Sequence, residues 1–323
     1  MKTFTDRLMD AIDEKHSILN VGLDPQFKRI PVQIREKARK AYGPTWQAIG
    51  HAYLRFNKEI IDTVEPYVIS VKPQMAFYEA YSHWGVWAFQ KTVQYAKDKG
   101  LVVIEDAKRG DGGDTAQAYA DGHLGRVDFW GDDEETFTKM PSYNVDCMTI
   151  KAWIGQSMLD PFIEVVKEQG KGVFVVDKTS FIPNSVIEQK KTEDGITNWE
   201  NLAHLVREWG KDTEGERGYR NMGVVIGATY PEEAETMRKI LPNAWFLIPG
   251  YDTQGGGADD AVVGFNKDGY GGVVNSSRGI IFAYIKGRFQ CDPKDFVEAS
   301  RKAAEFARDD LNAALKQAGK RAW

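Results

Sequence analysis

A short run of alternating charge, residues 105–115 (EDAKRGDGGDT), contains the side chains best suited to chemistry. On an extended backbone Asp106 and Lys108 project to the same face because they are two residues apart. Asp111 follows and could turn back toward them or reach a neighbouring subunit, while Lys72 lies upstream. Opposite charges keep one another ionised, so such an array would hold a fixed field against a substrate that develops negative charge. The spacing alone is also typical of a solvated turn with a chance run of charges.

Two glycine-rich segments, residues 249–257 (PGYDTQGGG) and 275–279 (NSSRG), could bind a phosphate group. Glycine lets backbone N–H groups approach an anion closely, and Arg278 could add a bidentate grip on phosphate oxygens. Ordinary tight turns are the alternative interpretation. Neither segment matches the P-loop or the G-x-G-x-x-G fingerprint, so ATP and NAD chemistry have no support in the sequence.

Eight short apolar runs alternate with amphipathic stretches of helical period. Near-continuous apolar runs are typical of parallel strands covered on both faces, and their alternation with helices predicts an α/β fold. Eight repeats favour a closed (β/α)8 barrel, or TIM barrel, over an open sheet. The runs occupy residues 18–23, 67–71, 101–105, 145–150, 172–176, 222–227, 244–249 and 271–275.

Charged and polar residues directly follow most of these runs. The active site of such a barrel lies at the carboxyl ends of the strands, so we expect these side chains to converge on one mouth. At any single position the alternative is a residue that is polar only because the chain reaches the surface there. The set comprises Asp24, Lys72, Asp106, Lys108, Asp111, Lys151, Asp177, Lys178, Thr179, Ser180 and Arg278.

Two segments interrupt the alternation of strands and helices. Residues 127–143 are acidic and aromatic, and residues 188–219 are polar with one helical stretch. Neither is long or apolar enough to form a domain of its own. The sequence therefore predicts a single barrel domain over residues 1–323 with two insertions.

The composition excludes several classes of protein. The 323 residues carry 42 Lys and Arg against 47 Asp and Glu, a formal charge of -5, which argues against a protein built to bind nucleic acid or an acidic membrane. No apolar run approaches the roughly 18 residues of a membrane span, and the N-terminus lacks the apolar core of a signal peptide, so we expect a cytoplasmic protein. The five histidines lack metal-ligand spacing and are expected at the surface or at helix caps.

Seven motifs, in this order along the chain, resemble the orotidine 5'-phosphate decarboxylase family. The combination of DAKRGD with an upstream VKPQ and downstream QGG and SRG is highly specific, and the longer KPQ-x-AFYE form resembles one bacterial branch. The motifs are GLDP (22–25), FNKEIID (56–62), VKPQMAFYE (71–79), DAKRGD (106–111), KTS (178–180), PGY…QGG (249–256) and SSRGI (276–280).

The resemblance implies a homodimeric (β/α)8 barrel that converts orotidine 5'-monophosphate to UMP and carbon dioxide, the last step of pyrimidine synthesis, without a cofactor or metal. The implied catalytic residues are Lys72, Asp106, Lys108 and Asp111, with Lys108 stabilising and then protonating a carbanion at C6 of the pyrimidine. Asp111 and Thr115 are implied to come from the partner subunit. The remaining implied contacts are Asp24 to the ribose, Ser180 to the pyrimidine, and Gln254 and Arg278 to the phosphate.

Three departures from the family pattern concern the edges of the site. The pyrimidine loop, residues 179–183 (TSFIP), keeps Ser180 but is one residue longer than the family's TSNP. Gly112 stands where the family usually has an apolar residue after DAKRGD, and Asp252 stands in the segment expected to approach the phosphate. None replaces a charged catalytic residue. Two alternatives stay open from the sequence: a metal-dependent sugar-phosphate decarboxylase or aldolase on the same scaffold, and a non-catalytic nucleotide-binding relative.

Overall fold

Aliphatic and β-branched runs form the strands, because both faces of each strand are covered. The structure is a computed structural model that describes residues 2–133, 136–181, 183–251 and 255–320. Its strands are β1 (Leu19–Leu23), β2 (Ser70–Pro73), β3 (Val102–Arg109), β4 (Val127–Trp130), β5 (Phe137–Met140), β6 (Cys147–Ile150), β7 (Gly172–Lys178), β8 (Arg220–Ile226), β9 (Ala244–Ile248) and β10 (Gly272–Ser276).

Eight of these strands close into a parallel barrel in the order β1-β10-β9-β8-β7-β6-β3-β2. Closure is direct, since β1 pairs with both β10 and β2. Each of the eight apolar runs identified in the sequence overlaps one barrel strand, and the predicted (β/α)8 barrel is confirmed.

Amphipathic helices surround the barrel. The interior of this outer layer includes Phe56, whose ring stacks on Phe282 and on Phe296, both at 5.6 Å between centroids. The helices are α1 (Phe4–Lys15), α2 (Val32–Tyr42), α3 (Trp46–Val64), α4 (Met75–Glu79), α5 (Ser82–Asp98), α6 (Gly113–His123), α7 (Asp160–Gln169), α8 (Val186–Gln189), α9 (Asn198–Trp209), α10 (Pro231–Ile240), α11 (Ala258–Val262), α12 (Arg278–Ile281) and α13 (Phe296–Gln317). None of the described helices has the length and apolar character that crossing a membrane requires.

Helix α1 covers the amino-terminal end of the barrel. Phe4 packs edge-on against Phe174 of β7 at 5.8 Å, and the Thr5 backbone N–H donates to Asn221 of β8 at 2.9 Å. Arg7 reaches Asp146, just before β6, at 2.8 Å. The bottom of the barrel is therefore packed with protein, which leaves the carboxyl ends of the strands as the accessible end.

The two interruptions seen in the sequence have different structures. Residues 127–143 contain the antiparallel hairpin β4–β5, and residues 188–219 contain α9. Helix α9 begins with a capping box, in which Thr197 and Glu200 exchange hydrogen bonds. The assignment of residues 1–323 to a single domain stays a prediction.

The histidines were expected at the surface or at helix caps, but His123 is buried. It is buried at the end of α6, and its Nδ1 lies 2.7 Å from Oε2 of the fully buried Glu105 on β3. A buried carboxyl group needs a polar partner, and the histidine supplies it. This pair ties α6 to the strand that carries the DAKRGD motif.

The buried carboxylate of Asp146 forms ion pairs at the amino-terminal end of the barrel. Its carboxylate accepts from Arg7 at 2.8 Å, from Lys97 at 3.1 Å and from the backbone N–H of Val103 at 2.9 Å. Burial alone would raise the pKa of Asp146, but these cations and the N–H group hold it below its ordinary value. Such a carboxyl stabilises the fold above its unfolded-state pKa, and this contribution is lost as the pH falls through the folded-state pKa.

We expect Asp146→Asn to lower the free energy of unfolding by about 3 kcal/mol at pH 7, because it removes the buried counter-charge of the partly buried Arg7 and Lys97. The loss should shrink on acidification, as the wild-type carboxylate becomes protonated. Urea denaturation between pH 7 and pH 3 measures both effects. The control is Asp128→Asn, which removes the exposed pair with Lys139 and should change stability by less than about 0.5 kcal/mol. Equal losses in the two variants would contradict this interpretation.

Candidate active site

The carboxyl ends of the barrel strands enclose a cavity of about 410 Å³. All eight barrel strands, or the segments that follow them, contribute to its wall. The lining includes Asp24, Gln26, Lys72, Gln74, Phe77, Asp106, Lys108, Thr149, Val176, Thr179, Ser180, Phe181, Val225, Leu247, Pro249, Gly250, Tyr251, Asn275, Ser277 and Arg278. The expected convergence of strand-end side chains on one mouth is thus found for most members of the set.

Asp106 is held between two lysines at the floor of this cavity. Its Oδ2 lies 2.9 Å from Nζ of Lys72, which projects from the neighbouring strand β2, and its Oδ1 pairs with Nζ of Lys108. The Lys72 and Asp106 side chains are 5% and 12% exposed, whereas Lys108 is 38% exposed and faces the open cavity. Of the two ammonium groups, that of Lys108 is therefore the one more open to a ligand.

The pKa values of Asp106 and Lys72 are shifted by the charges around them. Burial would raise the pKa of Asp106, but the charges of Lys72 and Lys108 and their hydrogen bonds hold it well below the ordinary value. Burial would likewise lower the pKa of Lys72, yet the charges of Asp106 and Asp24 raise it. Asp106 and Lys72 therefore stay ionised at neutral pH despite their burial.

The backbone of β3 is irregular at Lys108. The residue has a positive φ of 52°, and the pairing with β6 shifts register between Glu105 and Arg109. A non-glycine residue in this region is strained by about 1–2 kcal/mol, and such strain persists only where the surroundings fix it. The contact between Lys108 and Asp106 therefore forms on a bulged strand and not on the regular extended backbone assumed from the sequence.

Thr149 of β6 stabilises this bulge and was missed by the sequence analysis. Its Oγ1 accepts from the backbone N–H of Lys108 at 3.0 Å and donates to Oδ1 of Asp106 at 2.9 Å. The hydroxyl thus fixes both the backbone of Lys108 and the carboxylate of Asp106. The only signal in the sequence is one hydroxyl residue in an apolar strand, and threonine is common in strands for other reasons.

Asp24, which follows β1, lies beside the lysine–aspartate array. Burial raises its pKa, while the nearby Lys72 opposes the shift. Its Oδ1 is buried without a hydrogen-bond partner within the described residues, and Ser277 bonds to the carboxyl group. Gly22 permits this arrangement, since a Cβ atom there would lie 1.8 Å from Oγ of Ser277. A buried acceptor without a partner is well placed to bind a ligand hydroxyl group.

The upper wall of the cavity contains the other residues expected at the site. Ser180 and Arg278 both line it, from the segments after β7 and β10. Arg278 is exposed at the rim, where a guanidinium can reach an anion without being buried. Gln254, also expected at the phosphate, and Asp252 lie outside the described residues.

Four other members of the predicted set do not line the cavity of this chain. Asp111 and Lys151 are exposed, and Asp177 and Lys178 are buried behind the wall. Thr115, expected from the resemblance, is also exposed and outside the lining. The prediction that Lys151, Asp177 and Lys178 converge on the mouth was wrong. Asp111 and Thr115 therefore do not contribute to the cavity of their own chain.

Among the described residues, no group of three or more His, Cys, Asp or Glu side chains is arranged to hold a metal ion. The site combines a lysine–aspartate–lysine array, a partly buried carboxyl group whose Oδ1 has no hydrogen-bond partner among the described residues, and a rim arginine. These groups can bind an anionic, hydroxyl-bearing ligand and place a protonated amine beside it.

Comparison with known proteins gives consistent matches along the chain. The sequence model of the orotidine 5'-phosphate decarboxylase / HUMPS family matches residues 19–287. The orotidine 5'-phosphate decarboxylase of Caldicellulosiruptor saccharolyticus is 36% identical over 315 residues, which cover 98% of this chain and 100% of that protein. The enzyme of the same name from Rhodopirellula baltica is 36% identical over 305 residues, with 94% and 97% covered.

Solved structures show the same similarity in three dimensions. The OMP decarboxylase of Leishmania donovani superposes with a TM-score of 0.70 at 26% identity, over 97% of this chain and 98% of that one. The UMP synthase of Leishmania donovani gives a TM-score of 0.73 at 27% identity, over 97% of this chain and 57% of that one. With a family match over most of its length and relatives at 36% identity over nearly all of it, the chain belongs to the orotidine 5'-phosphate decarboxylase / HUMPS family.

Proposed function

We propose that this protein is a carbon–carbon lyase that converts orotidine 5'-monophosphate to UMP and carbon dioxide, as the final step of pyrimidine synthesis. Family membership and the names of the relatives support this activity. The single observation that carries it is the buried Asp106 held between Lys72 and Lys108, with Lys108 open to the cavity. The cytoplasmic location expected from the sequence stays a prediction.

In the proposed reaction the bond between C6 of the pyrimidine and its carboxylate breaks, and the electron pair remains on C6. The ammonium group of Lys108 stabilises this developing charge because it is already fixed in place by Asp106. Lys108 then donates a proton to C6 to give UMP, and it regains a proton from solvent. Asp106 and Lys72 keep the array ionised through the cycle. No redox step or additional reactant is required by this balance.

The rest of the substrate is held away from the bond that breaks. Asp24 is proposed to bind a ribose hydroxyl and Ser180 to contact the pyrimidine; the unpartnered Oδ1 of Asp24 and the position of Ser180 in the cavity wall support these roles. Arg278 at the rim, together with Gln254, is proposed to bind the phosphate. Binding energy from the remote phosphate can then order the site around the reacting carbon and raise the rate.

We also propose a homodimer in which each subunit completes the site of the other with Asp111 and Thr115. Both side chains are exposed and lie outside their own cavity, which supports this role. Charge supports it too. Lys108 is the more exposed of the two lysines and faces the open cavity, where a carboxylate from a second subunit would add a counter-charge beside its ammonium group.

Lys108→Ala should reduce turnover of orotidine 5'-monophosphate by a factor of about 10²–10⁴ while the fold is retained, because it removes the proton donor. The loss of substrate absorbance measures the rate, and circular dichroism checks the fold. The control is Lys151→Ala, which removes an exposed lysine outside the cavity and should leave turnover near the wild-type rate. Wild-type turnover should survive EDTA. Loss of turnover in EDTA would favour the metal-dependent alternative, and binding of UMP without any turnover would favour the non-catalytic one.

Arg278→Ala should raise KM by about 10–100-fold, since a charge-assisted contact to the phosphate is worth about 1.5–3 kcal/mol. The increase should disappear for a substrate analogue without the phosphate. Steady-state kinetics with both substrates provide the measurement. Arg288→Ala, which removes an exposed arginine that does not line this cavity, serves as the control. An unchanged KM for the phosphorylated substrate would exclude the proposed role of Arg278.

Mixing two inactive variants tests the shared site. In the proposed dimer each site takes Lys108 from one chain and Asp111 from the other. A hybrid of one Asp111→Ala chain and one Lys108→Ala chain should therefore contain one intact site. Random reassociation makes half of the dimers hybrids, and about a quarter of wild-type activity should return. A mixture of Lys108→Ala with Lys72→Ala is the control and should stay inactive, because both residues belong to the same chain's cavity. Failure of the first mixture to regain activity would contradict the shared site.

A further inference from the structure

Lys178 is a fully buried lysine directly behind the segment that contains Ser180. Its side chain is 0% exposed and does not line the cavity, although the next two residues, Thr179 and Ser180, do. The proposed chemistry does not use it. A buried ammonium group costs several kcal/mol unless it is paired and hydrogen-bonded, so its surroundings indicate what it does.

The ammonium group of Lys178 is surrounded by partners from three segments. It lies 3.2 Å from Glu188 on α8 and 3.3 Å from Glu233 on α10, and it donates to Oδ1 of Asn184 at 2.7 Å. The ring of Tyr230 lies beneath it, with its centroid 3.9 Å away. These contacts fix the lysine in one position between the helices that follow β7 and β8.

The same ionic group holds Thr179 through its backbone and its side chain. Lys178 donates to the Thr179 carbonyl at 3.3 Å. Glu188 accepts from the Thr179 backbone N–H at 3.3 Å and from its hydroxyl at 2.8 Å. Thr179 thus has its N–H, carbonyl and hydroxyl bonded to the lysine–glutamate pair.

The following two residues are held by the segment after β8. The hydroxyl of Thr229 donates to the Ser180 carbonyl at 3.2 Å, and the hydroxyl of Tyr230 donates to the Phe181 carbonyl at 2.6 Å. Gly227 lies against Ser180 so closely that a Cβ atom there would be 2.5 Å from the Ser180 Cα. The three wall residues 179–181 are therefore fixed from behind by one connected set of contacts.

We propose that Lys178, Glu188 and Glu233 form a positioning network that sets the place of Ser180 against the pyrimidine ring. This inference rests on the proposed function, in which Ser180 contacts the base. None of the three residues touches the substrate, so each acts through the wall residues 179–181. The network therefore controls recognition of the base and not that of the ribose phosphate, which is held at Asp24 and Arg278.

The charge balance of the network determines which variant is informative. One ammonium faces two carboxylates, so loss of the charge on Glu233 still leaves Lys178 paired with Glu188. The neighbouring Asp177 adds little negative charge, since burial and then the charge of Glu188 raise its pKa well above the ordinary value. Glu233→Gln therefore leaves one complete ion pair and keeps the shape of the side chain.

The test compares two ligands that differ only in the base. UMP contains the pyrimidine, whereas ribose 5-phosphate contains the same phosphate and sugar hydroxyls without it. In Glu233→Gln we expect the calorimetric Kd for UMP and the KM for orotidine 5'-monophosphate to rise about tenfold, because Lys178 loses one of its two ion-pair partners and holds the wall residues 179–181 less firmly. The Kd for ribose 5-phosphate should stay within about twofold of wild type. Tyr230→Phe, which removes only the hydroxyl bonded to Phe181, should shift the same two constants in the same direction.

The matched control is Glu200→Gln, which alters the capping box of α9 with Thr197 and is not one of the residues that hold the wall residues 179–181. It should lower the melting temperature without changing either Kd. Equal weakening of both ligands in Glu233→Gln, or no change in either, would overturn the positioning role. Calorimetry does not need turnover, so absence of decarboxylation by the wild type would reject the proposed function separately. The ratio of the two Kd values would still decide the positioning network.

Discussion

The rest of the site depends on the ion pairs that Asp106 forms with Lys72 and Lys108. Lys72 and Asp106 are the more buried of the three groups. The charge of either one alone would be unfavourable there, and each keeps the other ionised. The carboxylate also directs the ammonium group of Lys108 toward the cavity without burying it. The array thus supplies a fixed positive charge at the cavity. The carboxylate of Asp106 already positions and balances this charge before any ligand binds.

The barrel makes this array possible because it places β2, β3 and β6 side by side. Lys72 comes from the first, Asp106 and Lys108 from the second, and Thr149 from the third. The bulge at Lys108 matters as much as the alignment of the strands, because it gives the lysine a backbone conformation that a regular strand does not have. With α1 packed across the opposite end, the chemistry is confined to the carboxyl ends of the strands.

The sequence predicted the barrel strands, and it predicted that Lys72, Asp106 and Lys108 lie at one mouth, because both depend on local patterns; the expected place of Asp111 in the array stays a prediction. Apolar runs indicate buried strands, and a charged motif at the end of such a run indicates residues at the mouth of the barrel. Lys178 was wrongly predicted to face the mouth of the barrel. The pairing of β7 with β8 shifts register between Val176 and Lys178, and such a shift turns the following side chains to the opposite face of the strand. Thr149 was missed because its role depends on a bulge in another strand. Asp111 and Thr115 cannot be assigned within one chain at all, because their proposed partners belong to a second subunit.

In the proposed reaction the ammonium group of Lys108 exchanges a proton with C6 of the pyrimidine. The most direct measurement follows the C6 proton of UMP by NMR in D2O with the protein present. Proton transfer is reversible in this account, so the wild-type protein should slowly replace that proton with deuterium, and Lys108→Met should not. Exchange at the same rate in Lys108→Met would contradict the account and would require a different proton donor.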